Sequence, residues 1–386
     1  LGDSMRAGKL KALYGGIPAL AVCAAVFLSG CASGHKEFVY VTGQGTNEAF
    51  EFRAQSDGSL LPLGTPNFPV GSNPSALMPH TSGDFLYIAD FSGNDVTLLD
   101  INASNGNLSV PVSLSIVSPV NPPNIFATDI GPVSLAMSPT SPFLYAVNQT
   151  AGNVTGYIVD PGRGSLGVIQ ATPSSPASPF PIVPASHPSS VAIAPTGNFL
   201  FVANAAEGTI AVFSIGGNGA LAQAGLPTSV GTGATPTSIA VEHSGRFLYV
   251  TDPAHNAIAG FAIQNGALTP ISGSPFVAGA APVGLGIDPQ GALLFAANSG
   301  SNNVSAFAID SKSGALGQVS GSPFPTGGVG PSAVAVDTES SFVYVTDQAS
   351  HDVAAFAIAS NGALHPVKGS PFNVATNATS ITVVRR

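Results

Sequence analysis

Seven near-copies of one short segment run along the chain: FVYVTG at 38, FLYIAD at 85, FLYAVN at 143, FLFVAN at 199, FLYVTD at 247, LLFAAN at 293 and FVYVTD at 342. Their starts lie 47, 58, 56, 48, 46 and 49 residues apart. A period of this length means that one supersecondary unit is repeated and stacked on its own copies. Each segment is β-branched or aromatic with alternating large apolar residues, the pattern of a strand. A second strand follows each one, as in EAFEFRA, DVTLLDI and DVAAFAI. Asn-Gly or Ser-Gly then supplies the positive φ of a tight turn into a weaker strand, as in NGALTPISGSPF and SGALGQVSGSPF. Six of the seven units also open on a proline-led strand, such as PSALMPH, PSSVAIAP or PSAVAVDT. The seventh such strand stands at the other end of the chain, ATSITVV at 378–384. This arithmetic predicts an all-β protein, a seven-bladed β-propeller of four-stranded blades, closed by a C-terminal strand that pairs innermost into the N-terminal blade. Closure removes the edges that an open row of sheets would expose. Long intervals in the second and third units mark insertions at 112–131 and 168–187.

The units YVTG, YVTD and FVAN, with the P-S-x-A-V…G-x-F-L-Y-V arrangement, resemble the YVTN-type propellers. The NGAL…GSPF connections resemble the 6-phosphogluconolactonase-like (lactonase) propeller family. The likeness spans residues 37–386 as one domain and implies the fold first; an activity has to be argued from the site.

The first residues read differently. Arg6, Lys9 and Lys11 precede an uncharged run from Ala12 to Leu28 that is broken by Gly15, Gly16 and Pro18. A basic start, an apolar centre and small residues at its end form the layout of an export signal, and the run is short for a span of about 20 residues. Leu28-Ser29-Gly30-Cys31 resembles the lipobox of bacterial lipoproteins. That resemblance implies a signal peptide over 1–30, a lipidated Cys31, a tether over 31–36, and a place in the cell envelope, on the periplasmic side or the outer surface. Cys23 would be removed with the signal, which leaves no disulfide and no cysteine site. The alternative is an uncleaved apolar anchor.

Charge narrows the partners. The chain carries 11 Lys+Arg against 20 Asp+Glu. Removing residues 1–30 takes away three basic groups and Asp3, leaving 8 against 19, a net charge of −11. Nucleic acid is excluded, because phosphate contacts need a basic patch. The expected partners are the membrane, through the lipid on Cys31, and a protein or small-molecule ligand at the mouth of the channel; the chain is expected to be a monomer.

Inner strands line the channel of a propeller, and a small-molecule site is expected where they begin. The residues there are small and cannot ionise: Ser134, Ser189, Thr237, Ser238, Ser332 and Ser380 are the candidate ligand contacts. The lactonase resemblance implies a histidine at the position of Ser189 and an Arg-His pair at Thr237 and Ser238, and the chain departs from it at all three. Lactone hydrolysis needs a base and an oxyanion-holding group. The remaining candidates are His187, His255 and His351 near Asp252 or Asp347, against the alternative of exposed loop histidines. A binding module on a lactonase-like scaffold is therefore the first expectation, and a lactonase-type carboxylic ester hydrolase acting on a sugar lactone is the second. The ring Gly43, Asp90, Asn148, Asn204, Asp252, Asn298 and Asp347 reads as side chains bonding their own loop backbone, against the alternative of carboxylates and amides that bind a cation. No metal-site spacing occurs, and no metal or cofactor is expected.

Overall fold

The computed structural model describes residues 36–111, 124–173 and 175–386. Cys31 and the expected export signal lie outside the described residues, as does 112–123 within the first insertion. Residues 36–386 form seven antiparallel sheets. The FLYV-type segments are the second strands, and they are buried almost throughout, as in Phe85–Asp90 and Phe247–Asp252. They alternate side chains into the two neighbouring blades, so each large residue buried contributes about 1.5–3 kcal/mol. Blade 1 consists of Glu37–Gly43, Glu48–Ala54 and Leu60–Pro69, with Ala378–Arg385 as its inner strand, and the expected closure is present. The pairing runs from Glu37 opposite Arg385 to Gly43 opposite Ala378. This inner strand lies between Pro331–Val336 of blade 7 and Pro74–Pro79 of blade 2, which completes the ring.

The outer strand differs from the simple expectation. In blades 2 to 7 it is split into two short pieces that pair with the same third strand, for example Leu316–Gln318 and Phe324–Pro325 on Asn303–Ile309. The serine of each SPF motif spans the gap. Ser178, Ser274, Ser322 and Ser370 accept a third-strand N–H through Oγ, each at 2.9 Å. The repeated turn glycine also has a packing role. Gly106 of blade 2 has φ of 80°, and a Cβ on it would lie 2.2 Å from the ring of Phe38 in blade 1. The first residue of each FLYV segment thus packs under the turn of the next blade, which ties the two motifs into one repeat.

Candidate functional site

The inner strands open at the end of the blades where the second strands finish: Pro74 pairs with Asp90, Pro188 with Asn204 and Pro331 with Asp347. The register shifts there by one residue, so Ser75, Ser189 and Ser332 each sit at a bulge. A bulge re-aims its side chain, and here it aims toward the next blade. Ser189 Oγ donates to Pro236 O at 2.7 Å, Ser332 Oγ to Ala378 O at 3.0 Å and Ser75 Oγ to Pro132 O at 2.8 Å. Thr237 Oγ1 does the same toward Val283 O at 3.3 Å. The next position accepts instead. Ser134, Ser238 and Ser380 each take a backbone N–H of the following blade, from Val191, Leu285 and Leu77 at 3.2–3.3 Å. The hydroxyls expected to meet a ligand are therefore engaged in joining blades. The junction of blades 6 and 7 has Val283 and Gly284 at these positions, and Gly284 approaches Ser332 O so closely that a Cβ would lie 2.5 Å from it.

The ionisable candidates lie on the same end, around this ring. His255 Nδ1 meets Asp252 Oδ2 at 2.6 Å, and Asp252, 5% exposed, also accepts the Thr235 N–H at 3.1 Å. The short turn Pro253–His255, closed by Asn256 in the left-handed region, sets this geometry. His187 has a partner that sequence reasoning missed. Its Nδ1 lies 3.1 Å from Glu207 Oε1, and its backbone N–H donates to Glu207 Oε2 at 3.0 Å. Burial alone would raise the Glu207 carboxyl, but these hydrogen bonds outweigh it and hold it below the usual range. No sequence spacing announces that pair, because it joins an inter-blade connection to a hairpin twenty residues on.

A cavity of about 500 Å³ opens beside His187 and is lined by Gln149, Thr150, Ala205, Ala206 and Thr235 as well. His187 and His255 thus stand at adjacent blades, each with its own carboxylate, and Thr235 touches both arrangements. They do not form one hydrogen-bonded cluster: His187 lines the cavity, while the His255–Asp252 pair stands beyond Thr235. His351 is exposed at a positive φ of 60° on the same end. Asp347, its neighbour, is buried and pairs across its hairpin with Asp352. The Asp/Asn ring bonds mainly across hairpins to side chains, as when Asn148 Nδ2 donates to Asn153 Oδ1 at 2.8 Å. Among the described residues no three His, Cys, Asp or Glu side chains gather as metal ligands.

Charge is unevenly distributed. Glu48, Asp129, Glu207 and Asp252 are among the acids at this end, and no Lys or Arg is found there among the described residues. Every Lys and Arg of residues 36–386 except Lys368, in the outer connection of blade 7, stands toward the opposite end. That opposite end has a second cavity, of about 560 Å³, walled by Met78, Met137, Ile193, Val241 and Ile287 with His243 at its margin. Its apolar character was not read from the sequence, where these residues pass for ordinary strand positions.

A family model described as Lactonase, 7-bladed beta-propeller matches residues 123–234 and 224–327. No curated protein matches significantly. Among solved structures, a candidate 6-phosphogluconolactonase of Bacteroides fragilis is 20% identical, with 92% of this chain and 99% of that chain covered and a TM-score of 0.72. A similar candidate from Bacteroides uniformis is 16% identical, with 90% and 99% covered and a TM-score of 0.73. A periplasmic gluconolactonase of Pseudomonas aeruginosa is 21% identical, with 91% and 99% covered and a TM-score of 0.71. At these identities the structural likeness is one of fold.

Proposed function

The chain belongs to the Lactonase, 7-bladed beta-propeller family, and from that premise we propose that it is an exported, lipid-anchored propeller that binds an uncharged, hydroxyl-rich ring of the sugar-lactone class beside His187. The carrying observation is the chemistry of that end of the channel: a cavity of about 500 Å³ lined by His187, with Glu207 bonded to His187 and Asp252 to Thr235, and no Lys or Arg at that end among the described residues. A phosphate on the ligand would meet like charge and no fixed cation, so a phosphorylated lactone fits poorly, while hydroxyls can pair with Gln149, Thr150 and His187. The anchor is the lipid on Cys31; loss of labelled fatty acid from a Cys31→Ser variant tests it, and retention of label would contradict it. Among the described residues no helix is long and apolar enough to cross a membrane.

A second reading, hydrolysis of that ring, rests on the two histidine–carboxylate pairs. With Nδ1 directed at a carboxylate, Nε2 is the atom left to take a proton from water. The hydroxide equivalent adds to the lactone carbonyl, the ring C–O bond breaks, and the ring oxygen takes the proton back as an alcohol. The carboxylate beside each ring steadies the imidazolium between these steps. The product is a hydroxy acid, an anion that this acidic end would repel. Turnover of several uncharged sugar lactones should be measured near neutral pH for the wild type and for a His187→Ala, His255→Ala, His351→Ala variant. A positioned general base contributes about 10²–10⁴-fold. Hydrolysis lost in the variant supports the enzyme, and binding without turnover supports the binding module. Neither binding nor turnover of any uncharged lactone would overturn both readings.

A further inference from the structure

Blades 6 and 7 carry the same local arrangement with one chemical difference. In blade 6, Asn298 stands opposite Asn303, and its Nδ2 donates to Asn303 Oδ1 at 2.8 Å. Both atoms fill the space left by Gly279, where a Cβ would lie 2.5 Å from Asn298 Nδ2 and 2.7 Å from Asn303 Oδ1. Ser301 Oγ accepts the Ala280 N–H at 3.0 Å. In blade 7, Asp347 stands opposite Asp352, and a Cβ on Gly328 would lie 2.5 Å from Asp347 Oδ2 and 2.6 Å from Asp352 Oδ1. Ser350 Oγ accepts the Val329 N–H at 2.8 Å. Asp347 Oδ2 therefore occupies the place of an amide nitrogen that donates, and a carboxylate oxygen cannot donate. Asp347 is fully buried, and both its oxygens, with Asp352 Oδ1, lack a hydrogen-bond partner. Thr326 lies nearby, but its hydroxyl is directed at Asn302 O and Gly328 O.

Blade 2 repeats the substitution. Asp90 stands opposite Asp95, as Asn148 stands opposite Asn153 in blade 3. Asp90 is fully buried; Thr97 Oγ1 donates to its Oδ2 at 2.7 Å, while Asp90 Oδ1 and Asp95 Oδ1 have no partner.

We propose that Asp90 and Asp347 are held as neutral carboxylic acids, each donating its proton to the carboxylate across the hairpin, and that these two clasps on either side of the closing blade release as pH rises. The proton supplies the N–H···O bond that asparagine makes in blades 3 and 6. Blades 2 and 7 are the two neighbours of blade 1, so both clasps lie next to the one blade made from both chain termini. Three further titratable groups stand near the pairs: His351 in the hairpin before Asp352, Asp129 just past Ala127 opposite Asp95, and Tyr157, whose hydroxyl donates to Ala127 O; among the described residues none of them forms an ion pair with the four acids. The connections 70–73 and 326–330 and the inner strands 74–79 and 331–336 contain no titratable residue. The charged group acting on each acid is its hairpin partner, and none of the ion pairs among the described residues includes any of the four acids. Burial first, and then the partner carboxylate, push Asp90 up to about 8 and Asp347 up to about 7.

The sign follows from linkage. From about pH 4 up to those values the folded chain keeps protons that the unfolded chain has lost, so stability falls as pH rises and levels off above them. The folded-to-unfolded ratio should fall by up to tenfold per pH unit for each held proton. The test compares full-length wild type with an Asp90→Asn, Asp347→Asn variant in denaturant titrations from pH 4 to 9. The variant should match the wild type near pH 4 and exceed it increasingly toward pH 8. Infrared difference spectra, wild type minus variant at pH 6, should show a positive protonated-carboxylic-acid C=O band, in excess of what both proteins share from Glu51, which burial pushes up to about 7. A stability gap that does not change with pH, or absence of that band, would overturn the proposal. So would stabilisation of the wild type by calcium or magnesium at pH 7 that EDTA reverses and the variant does not share, since a metal ion would then be the occupant.

Discussion

Tyr145 and Tyr344 stand at the same register of blades 3 and 7, yet only one phenol is paired. Tyr145 OH donates to Gly219 O of the next blade at 2.7 Å, as Tyr40, Tyr87 and Tyr249 do to their own neighbours. Tyr344 OH is buried without a partner. Removing a buried hydroxyl that bonds a carbonyl leaves the carbonyl unpaired and costs about 1–3 kcal/mol, whereas removing an unpaired one relieves a desolvation cost. Tyr145→Phe should therefore lower the denaturant midpoint, and Tyr344→Phe should leave it unchanged or raise it. Equal losses in both would show that these hydroxyls do not join blades. At this scale the sequence was legible in residue type and not in direction. Ser189, Thr237 and Ser332 were readable as small polar residues where inner strands begin. Their turn toward the next blade comes from the local backbone, a bulge at Ser189 and Ser332, which no alternation pattern records. Likewise Asp347 was legible as an acid at the end of a strand, but that it stands opposite Asp352 depends on register.

The inner strand 378–385 does more than complete a sheet. Arg386 Nη1 meets Asp84 of blade 2 at 2.6 Å, and Arg385 Nη2 meets Glu339 of blade 7 at 3.5 Å, so the chain end reaches both neighbours. Deleting residues 377–386 would strip blade 1 of its inner strand and expose an edge. Loss of folded yield or aggregation is expected on expression and size-exclusion chromatography; a monomer with an unchanged melting temperature would contradict closure by this strand. The blade was the most legible element, because the FLYV segment and the glycine turn recur in every unit and SPF in four of them, and each has a physical cause: burial, the turn at Gly106, and the serine that bridges the split outer strand. The His187–Glu207 pair was illegible because it occurs once and has no period.

The whole ring has two unlike ends: one acidic, with His187 at a cavity and His255 beyond Thr235, and one that holds a largely apolar cavity edged by His243 and Asp288 and that also carries all but one of the Lys and Arg of residues 36–386. The fold that separates them was readable from the repeat. The cavities were not, because their shape depends on how seven inner strands converge. The central claim is that an uncharged lactone-class ring is taken at the acidic end, and the histidines report on it directly. His187, His255 and His351 mark that end, His80 and His243 the other, and His365 an outer strand. The most direct measurement is the imidazole NMR spectrum of the full chain titrated with an uncharged sugar lactone and, separately, with its phosphorylated counterpart. Saturable shifts at His187 and smaller ones at His255 with the uncharged ring, and none with the phosphorylated one, are predicted. Shifts confined to His243, or a stronger response to the phosphorylated ring, would contradict the account.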